Sequence, residues 1–504
     1  MRKPSDEISL DPRDWDAFSR AAHTALDDAI EFLRTVDQRP VWQPPPESLR
    51  TSTNDAVPTL ETSFEEVYAE FKNTILPYAT GNIHPRFFGW VHGAGLTGGI
   101  VAEMLAATMN SNCGGRDHGA IYIEKEVVNW CKELFGFSVE SSGLLVSGTS
   151  MANLIGLGVA RNSRAEANIR MHGLKNHART LVSYTSVEAH ESVSRAIEIL
   201  GLGAASLRKI PVRADFTIDV EVLRNAITED RRAGMEPFCV VGSAGTVNTG
   251  AIDPLDQLSS LCVAENLWFH VDGAFGALAC LSDSLRSRLT GIERADSLAF
   301  DFHKWAQIQY DAGCILVRRG DLHRAAYSMR PSYLHNLGRG LASGENWPCE
   351  FGPELSRSFR ALKIWFAFKE HGVRKIGHII EQNCEQAQYL KHRIAREPNL
   401  ELLAPVSLNI VCFGFRQPGL EAVESDKLNE DIVADLQELG VAAPSTTRVE
   451  GRLAIRVNIT NHRTRTADLD VLIDAVLSAG RARTAAGISR RNDSHPKTKD
   501  PKRQ

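Results

Sequence analysis

The sequence has no uninterrupted run of about 18 apolar residues, so no membrane-spanning helix is expected and no membrane partner with it. Its nine cysteines form no C-x-x-C pair and are odd in number. That argues against a disulfide framework and against a zinc site, and no metal is expected. Cys280 in Ala279-Cys280-Leu281 and Cys412 in Val411-Cys412-Phe413 read as buried reduced thiols of a cytoplasmic protein. The formal charge is only -5 over 504 residues, which gives no case for nucleic-acid binding by the whole molecule. The first residues, Met1-Arg2-Lys3-Pro4-Ser5-Asp6-Glu7, follow their positive charges with no apolar core, so no signal peptide is expected. No internal repeat is present.

What is present is an ordinary globular composition, 43% hydrophobic and 24% charged, on a chain long enough for two or three domains. Residues 11–37 read as a helix, because Trp15, Phe18, Ala22, Leu26, Ile30 and Leu33 recur at three- and four-residue steps. A Pro-rich connector follows, then a second helical stretch over 63–76. Neither helix can bury its apolar face alone, so this arm, 1–80, is expected to wrap another domain or subunit. Residues 81–380 alternate short apolar runs with helical patterns: 144–146, 180–183, 239–242, 268–271 and 297–300. That alternation predicts an α/β domain with a largely parallel, doubly covered sheet. A long helix is expected near 354–370. Residues 381–480 read as a smaller α/β domain with strands at 407–413 and 453–459 and helices at 426–439 and 466–479. The tail 481–504, with eight Lys or Arg and two acids, reads as irregular and solvated.

Chemistry-bearing residues gather at the ends of the predicted strands, where open α/β sheets place ligands. Lys304, in His303-Lys304-Trp305, follows the 297–300 run. Flanking aromatic residues shield its amine from water and make it a usable nucleophile toward a carbonyl. Asp272, in His270-Val271-Asp272-Gly273-Ala274, ends another strand. A carboxylate there can pair with a protonated pyridine nitrogen, although Asp-Gly is equally a turn. Thr149 and Ser150, in Ser147-Gly148-Thr149-Ser150, open a helix and can offer N–H and O–H groups to a phosphate. The same pattern also fits a plain helix N-cap. His190 lies at a further strand-to-helix turn, where it can stack on a ring or serve as a structural histidine.

In that order, and with His84-Pro85-Arg86-Phe87-Phe88-Gly89 and Ser358-Phe359-Arg360-Ala361-Leu362-Lys363-Ile364-Trp365, the chain resembles the group II pyridoxal-phosphate (PLP) amino-acid decarboxylases from about residue 11 to 478. The resemblance implies the aspartate-aminotransferase-like fold, fold type I. It implies pyridoxal 5'-phosphate carried covalently by Lys304, with Asp272 at the ring nitrogen, His190 on the ring face and Ala274 packed against the ring. Thr149, Ser150 and His303 match phosphate-side positions. Thr246, in Gly245-Thr246-Val247, matches a position near the ring oxygen and substrate, and Arg456 an arginine near the site. Catalysis would fall to Lys304, His190 and Asp272. The resemblance also implies a homodimer with shared active sites, with the N-terminal arm as its clasp.

Three departures bear on the reaction. Asp301-Phe302 precedes His-Lys where a proline is usual. An anionic Asp301 would repel a phosphate unless bonded elsewhere, so it is left out of the expected site. The wall lent by the neighbouring subunit, Asn110-Ser111-Asn112-Cys113-Gly114-Gly115-Arg116-Asp117-His118, is polar. With Trp90 and His92 opposite, Asn112 and its neighbours point to a polar or hydroxylated amino-acid substrate that can still be aromatic. The stretch between Asn336 and Ser358 holds no tyrosine to act as the proton donor, leaving Tyr333 upstream. The leading expectation is decarboxylation to an amine and carbon dioxide. The alternatives are oxidative decarboxylation to an aldehyde or another PLP-dependent lyase reaction, and a non-catalytic PLP-binding regulator, against which the intact Lys304, Asp272 and His190 stand.

Overall fold

The computed structural model describes residues 8–54, 56–164, 169–329 and 338–493. The strands, in chain order, are β1 (Phe87–Phe88), β2 (Ser142–Val146), β3 (Leu181–Ser186), β4 (Leu207–Ile210), β5 (Glu236–Ser243), β6 (Trp268–Asp272), β7 (Ser297–Asp301), β8 (Gly313–Val317), β9 (Leu400–Leu402), β10 (Ile410–Phe415), β11 (Ala443–Val449) and β12 (Arg452–Asn458). Seven form one sheet in the order β2-β8-β7-β6-β5-β3-β4. Its pairs from β4 to β7 are parallel, and only β8 runs against its neighbours.

The apolar runs of this sheet divide between its two faces. Leu145, Val240, Phe269, Val271, Leu298, Phe300 and Leu316 enter one core. Leu144, Val146, Cys239, Val241, Trp268, Ala299, Ile315 and Val317 enter the other. Successive side chains of a strand point to opposite faces, so a continuous apolar run is what a sheet covered on both sides requires.

The second sheet, β1-β11-β12-β10-β9, belongs to the C-terminal part. Its edge strand β1 comes from far upstream and pairs in parallel with β11, Phe87 with Ala443. A core of Val411, Phe413, Ile455, Val457, Leu472 and Val476 lies behind it. The helix expected at 354–370 is instead Ala361–Ala395, broken by non-helical backbone at Gly372, φ 70 and ψ 149. It crosses residue 380, the boundary expected between the domains. Its earlier part, with Ile364 and Ala367, enters a core of the large sheet, and its later part, with Ala387, Leu390 and Ile394, enters the core of the small sheet. Asn383 on this helix accepts from the Trp305 indole at 3.0 Å, and Gln386 donates to the Thr464 carbonyl at 2.8 Å.

The N-terminal arm holds the helices Trp15–Arg34 and Phe64–Glu70, linked by Tyr68 and Lys72 to Asp28. The segment expected to be irregular from 481 is corrected as far as Asp493: the last helix is Thr466–Asp493. Arg483 anchors that extension on Asp431 and Asp435. Residues 494–504 lie outside the described residues. Among the described residues no helix is long and apolar enough to cross a membrane.

Candidate active site

Turns after the carboxyl ends of β2, β3, β5, β6 and β7 converge on two adjoining cavities. The first, about 340 Å³, is lined by Thr149, Ser150, Asp301, His303 and Tyr310 among others. The second, about 230 Å³, is lined by Trp90, His92, Thr246 and Asp272 among others. His190, Ala274 and Lys304 line both. Of the residues expected in the site, the two cavities bring together all but Asn112 and Arg456.

The first cavity has groups suited to an anion. Helix Thr149–Arg164 opens onto it, and the first N–H groups of a helix lack partners within the helix. The Thr149 hydroxyl is buried and has no hydrogen-bond partner among the described residues. A buried donor without a partner is costly, so this hydroxyl suits an acceptor brought in by a ligand. His303 accepts from the Ala312 N–H through Nδ1 at 3.1 Å, which leaves its proton on Nε2. Burial pushes the His303 ring below the usual histidine range, with the Asp301 carboxylate opposing that effect.

Asp301, left out on sequence grounds, is central here. Its Oδ1 accepts from the Thr149 N–H at 2.7 Å, and its Oδ2 lies 2.8 Å from Lys304 Nζ. The carboxylate caps the helix and pairs with the lysine, which is how a negative charge is tolerated beside an anion cradle. The order Asp301-Phe302-His303-Lys304 hints at this, because Asp301 ends β7 three residues before Lys304.

Asp272 closes the second cavity from below. It accepts from Asn153 Nδ2 at 2.9 Å and from the Ala274 N–H at 3.1 Å. His190 caps the helix Glu191–Ile199, accepting from the Ser192 N–H at 3.1 Å. The Thr246 hydroxyl meets Thr249 at 3.1 Å, and Gly245 before it adopts φ 92, a value that favours glycine. At the mouth, Phe87, Trp90, His92 and Tyr310 form a chain of rings with centroids 5.7 to 6.2 Å apart. Burial, and then the Lys304 charge, lower the His92 ring below the usual histidine range. This segment packs tightly on the lysine turn: a Cβ at Gly93 would lie 2.4 Å from the His303 carbonyl oxygen.

Two expected residues stand apart from the cavities of this chain. Arg456 is buried behind the second cavity, donating to the carbonyls of Trp90 at 2.8 Å and Val247 at 2.6 Å. Burial pushes its guanidinium down to about 10. Its donors hold the cavity wall from behind. Asn112 Oδ1 accepts from the Gly114 and Arg357 N–H groups at 2.9 and 3.0 Å. Trp347 is buried against Gly115, with Arg116 over its ring at 4.9 Å. Tyr333 lies outside the described residues. Sequence reasoning missed Asn153 and Ser192. A lone asparagine inside the apolar helical run Ala152-Asn153-Leu154-Ile155 was the available signal.

The residues fit pyridoxal phosphate: an orphaned hydroxyl at a helix N-terminus for the phosphate, an amine for the aldehyde, and a carboxylate across the cavity for the ring nitrogen. Residues 46–416 match the family model described as the pyridoxal-dependent decarboxylase conserved domain. An aromatic-L-amino-acid decarboxylase of Bacillus atrophaeus is 33% identical over 451 residues, covering 89% of this chain and 92% of that protein. A phenylacetaldehyde synthase of Petunia hybrida is 28% identical over 468 residues, covering 89% and 90%. The structure of Catharanthus roseus tryptophan decarboxylase with L-tryptophan superposes with TM-score 0.83 at 23% identity, covering 94% of this chain and 100% of that one. The fold is therefore fold type I and the cofactor pyridoxal 5'-phosphate. By sequence and by site, this chain belongs to the pyridoxal-dependent decarboxylase family, as a carboxy-lyase acting on amino acids.

Proposed function

We propose that the chain removes carbon dioxide from a polar or hydroxylated L-amino acid, aromatic or not, and releases the amine. The observation that carries this reading is the convergence of Lys304, Asp272, His190 and the unpartnered Thr149 hydroxyl on adjoining cavities. Pyridoxal phosphate, when bound, supplies a ring that accepts the electron pair left by the departing carbon dioxide. Thr149, Ser150 and His303 hold the phosphate. Lys304 would carry the cofactor through its amine. Asp272 holds a proton at the ring nitrogen, and that charge makes the ring the better electron acceptor. His190 and Ala274, which line both cavities, would hold the ring. Thr246, Trp90 and His92 form the substrate side, where the imidazole of His92 offers a hydrogen bond to a polar side chain. Arg456 acts through the wall it holds.

The assembly we propose is a homodimer. Val101, Met104, Leu105 and Met109 of the helix Thr97–Met109, and Trp15, Phe64, Val67 and Phe71 of the arm, are large apolar side chains left exposed on one chain. Patches of this kind mark interfaces. In that dimer the 110–118 segment, with Asn112, would reach the neighbouring site. A cytoplasmic location is part of the same proposal, supported by the nine cysteines, none of them paired.

The test is incubation of the protein with a panel of amino acids under air, following carbon dioxide, amine, aldehyde and peroxide together. Borohydride reduction followed by peptide mapping is expected to fix the cofactor on Lys304. Label on another lysine, or carbon dioxide release from none of the panel, refutes the reading. Sedimentation of the active enzyme tests the dimer, and an active monomer refutes the shared site.

A further inference from the structure

A buried chain of hydrogen bonds joins the two groups proposed to hold the cofactor ring. It starts at Trp268, whose indole N–H can only donate and meets Ser297 Oγ at 2.8 Å. Ser297 Oγ lies 2.7 Å from His270 Nδ1, and His270 Nε2 lies 2.9 Å from Asn153 Oδ1. Asn153 Nδ2 then forks, to Asp272 Oδ2 at 2.9 Å and to Ser192 Oγ at 3.0 Å. Ser192 Oγ in turn lies 2.8 Å from His190 Nδ1. Ser297, His270 and Asn153 are fully buried.

Only one arrangement of protons satisfies every link. A carboxylate accepts and never donates, so Asn153 must turn its NH₂ toward Asp272. Its carbonyl oxygen then faces His270 Nε2, which must carry hydrogen. Burial pushes the His270 imidazole down to about 3, so the ring is neutral with one proton, and Nδ1 is an acceptor. Ser297 therefore donates to Nδ1 while accepting from Trp268. At the other branch, Ser192 accepts from Asn153 and donates to His190 Nδ1. The backbone N–H of Ser192 also meets that nitrogen. His190 is left with its proton on Nε2. The assignments made from the Trp268 end and from the Asp272 end agree.

We propose that Asn153 and His270 are positioning residues that set both ring contacts together, resting on the assignment of Asp272 and His190 to the cofactor ring. One carboxamide orients the carboxylate at the ring nitrogen and, through Ser192, the imidazole on the ring face. His270 keeps that carboxamide in place. Without its Nε2–H, the buried Asn153 Oδ1 loses its donor, and the carboxamide is free to shift off Asp272 and Ser192 in search of another.

The measurements are the dissociation constant of the holoenzyme for pyridoxal phosphate and the pH at which its visible absorbance band titrates. His270→Leu is expected to weaken cofactor binding about tenfold, the upper end of what one hydrogen bond between neutral groups contributes, and to move the titration midpoint. His270→Gln, whose amide can occupy the Nε2 position, is expected to restore both to within about threefold of wild type. His323→Leu, which removes another fully buried histidine, controls for general loosening of the core and is expected to move neither. Wild-type affinity and midpoint in His270→Leu overturn the proposal. If His270→Leu does not fold, Ser297→Ala decides: it frees His270 to change tautomer, and an unchanged midpoint there overturns the proposal equally. Asp272→Ala separates the two levels. If it leaves affinity and band unchanged, the ring assignment itself fails. If it changes both while His270→Leu changes neither, only the relay fails.

Discussion

Replacing Arg456 with methionine probes how the small sheet holds the substrate side of the site. Trp90 sits at φ 47, a left-handed conformation that costs a non-glycine residue about 1–2 kcal/mol. A hydrogen bond from a charged donor contributes about 1.5–3 kcal/mol, so the single 2.8 Å bond from Arg456 to the Trp90 carbonyl is enough to hold that strain. Methionine fills much of the same space and donates nothing. The carbonyls of Trp90 and Val247 lose their donor, a cost of about 2–4 kcal/mol, and Trp90 is free to relax toward extended backbone. Chemical denaturation of the holoenzyme is expected to register the stability loss. Steady-state kinetics are expected to show KM raised about tenfold with kcat within about threefold, because a wall has moved and the reacting groups have not. Arg456→Lys, with one donor head in place of the fork, is expected to fall between. A stability loss of the expected size with KM unchanged would refute the clamp and leave Arg456 a residue of the fold alone.

Acid should destabilise the protein early. Burial holds His84, His270, His323 and His462 down at about 4, 3, 4 and 4. Their depressed folded values mean that the unfolded chain binds protons first as pH falls below about 6.5, and each then withdraws up to about 1.4 kcal/mol per pH unit. Buried Asp253, raised to about 6, works oppositely below that pH but offsets only one of them. A denaturation midpoint that holds or rises between pH 7 and 5 would contradict this. Asp301→Asn keeps an acceptor for the Thr149 N–H and removes the negative charge beside the phosphate cradle, so cofactor affinity is expected to rise about threefold or more; weaker binding would show that the carboxylate is required. Oxygen uptake during turnover is expected to exceed that of a tyrosine-bearing relative, since the described part of 336–358 offers no phenol. Clean amine formation without uptake, turning oxidative in Tyr333→Phe, would identify Tyr333 as the acid.

Much of the large sheet was legible because burial on both faces writes itself as unbroken apolar runs such as Val240-Val241 and Leu298-Ala299-Phe300. The strand ends were legible for the same reason, and with them Lys304, Asp272 and His190. What stayed hidden depends on contacts far apart in sequence. Asp301 looked unfavourable beside a phosphate until its bonds to Thr149 and Lys304 were in view. Arg456 lies 366 residues from the Trp90 carbonyl it holds, and no local pattern announces which way a buried guanidinium turns. The pairing of Phe87-Phe88 with β11 is equally remote. The break at Gly372 hid the true length of the helix Ala361–Ala395, because the non-helical link shifts the phase of the apolar positions before and after it. The helical extension to Asp493 escaped notice because its first anchor is a pair of aspartates on another helix, and not an apolar face.

That long helix also decides where the chain can change length. Each residue of an α-helix advances the direction of its side chains by about 100°. Beyond Ile376, Asn383 must face Trp305, Gln386 must face Thr464, and Leu390 must enter the small-sheet core. One residue inserted between 376 and 383 would swing all of them out of phase in a single step, stripping the Trp305 indole of its acceptor one position from Lys304. An insertion at the non-helical link around Gly372 would be absorbed there, with the phase of the later turns intact. Length is thus tolerated at the Gly372 link and locked in the turns on either side of it, where Ile364 and Ala367 before and Leu390 and Ile394 after are held in packed cores, and insertion scanning would find that one permissive point in the helix.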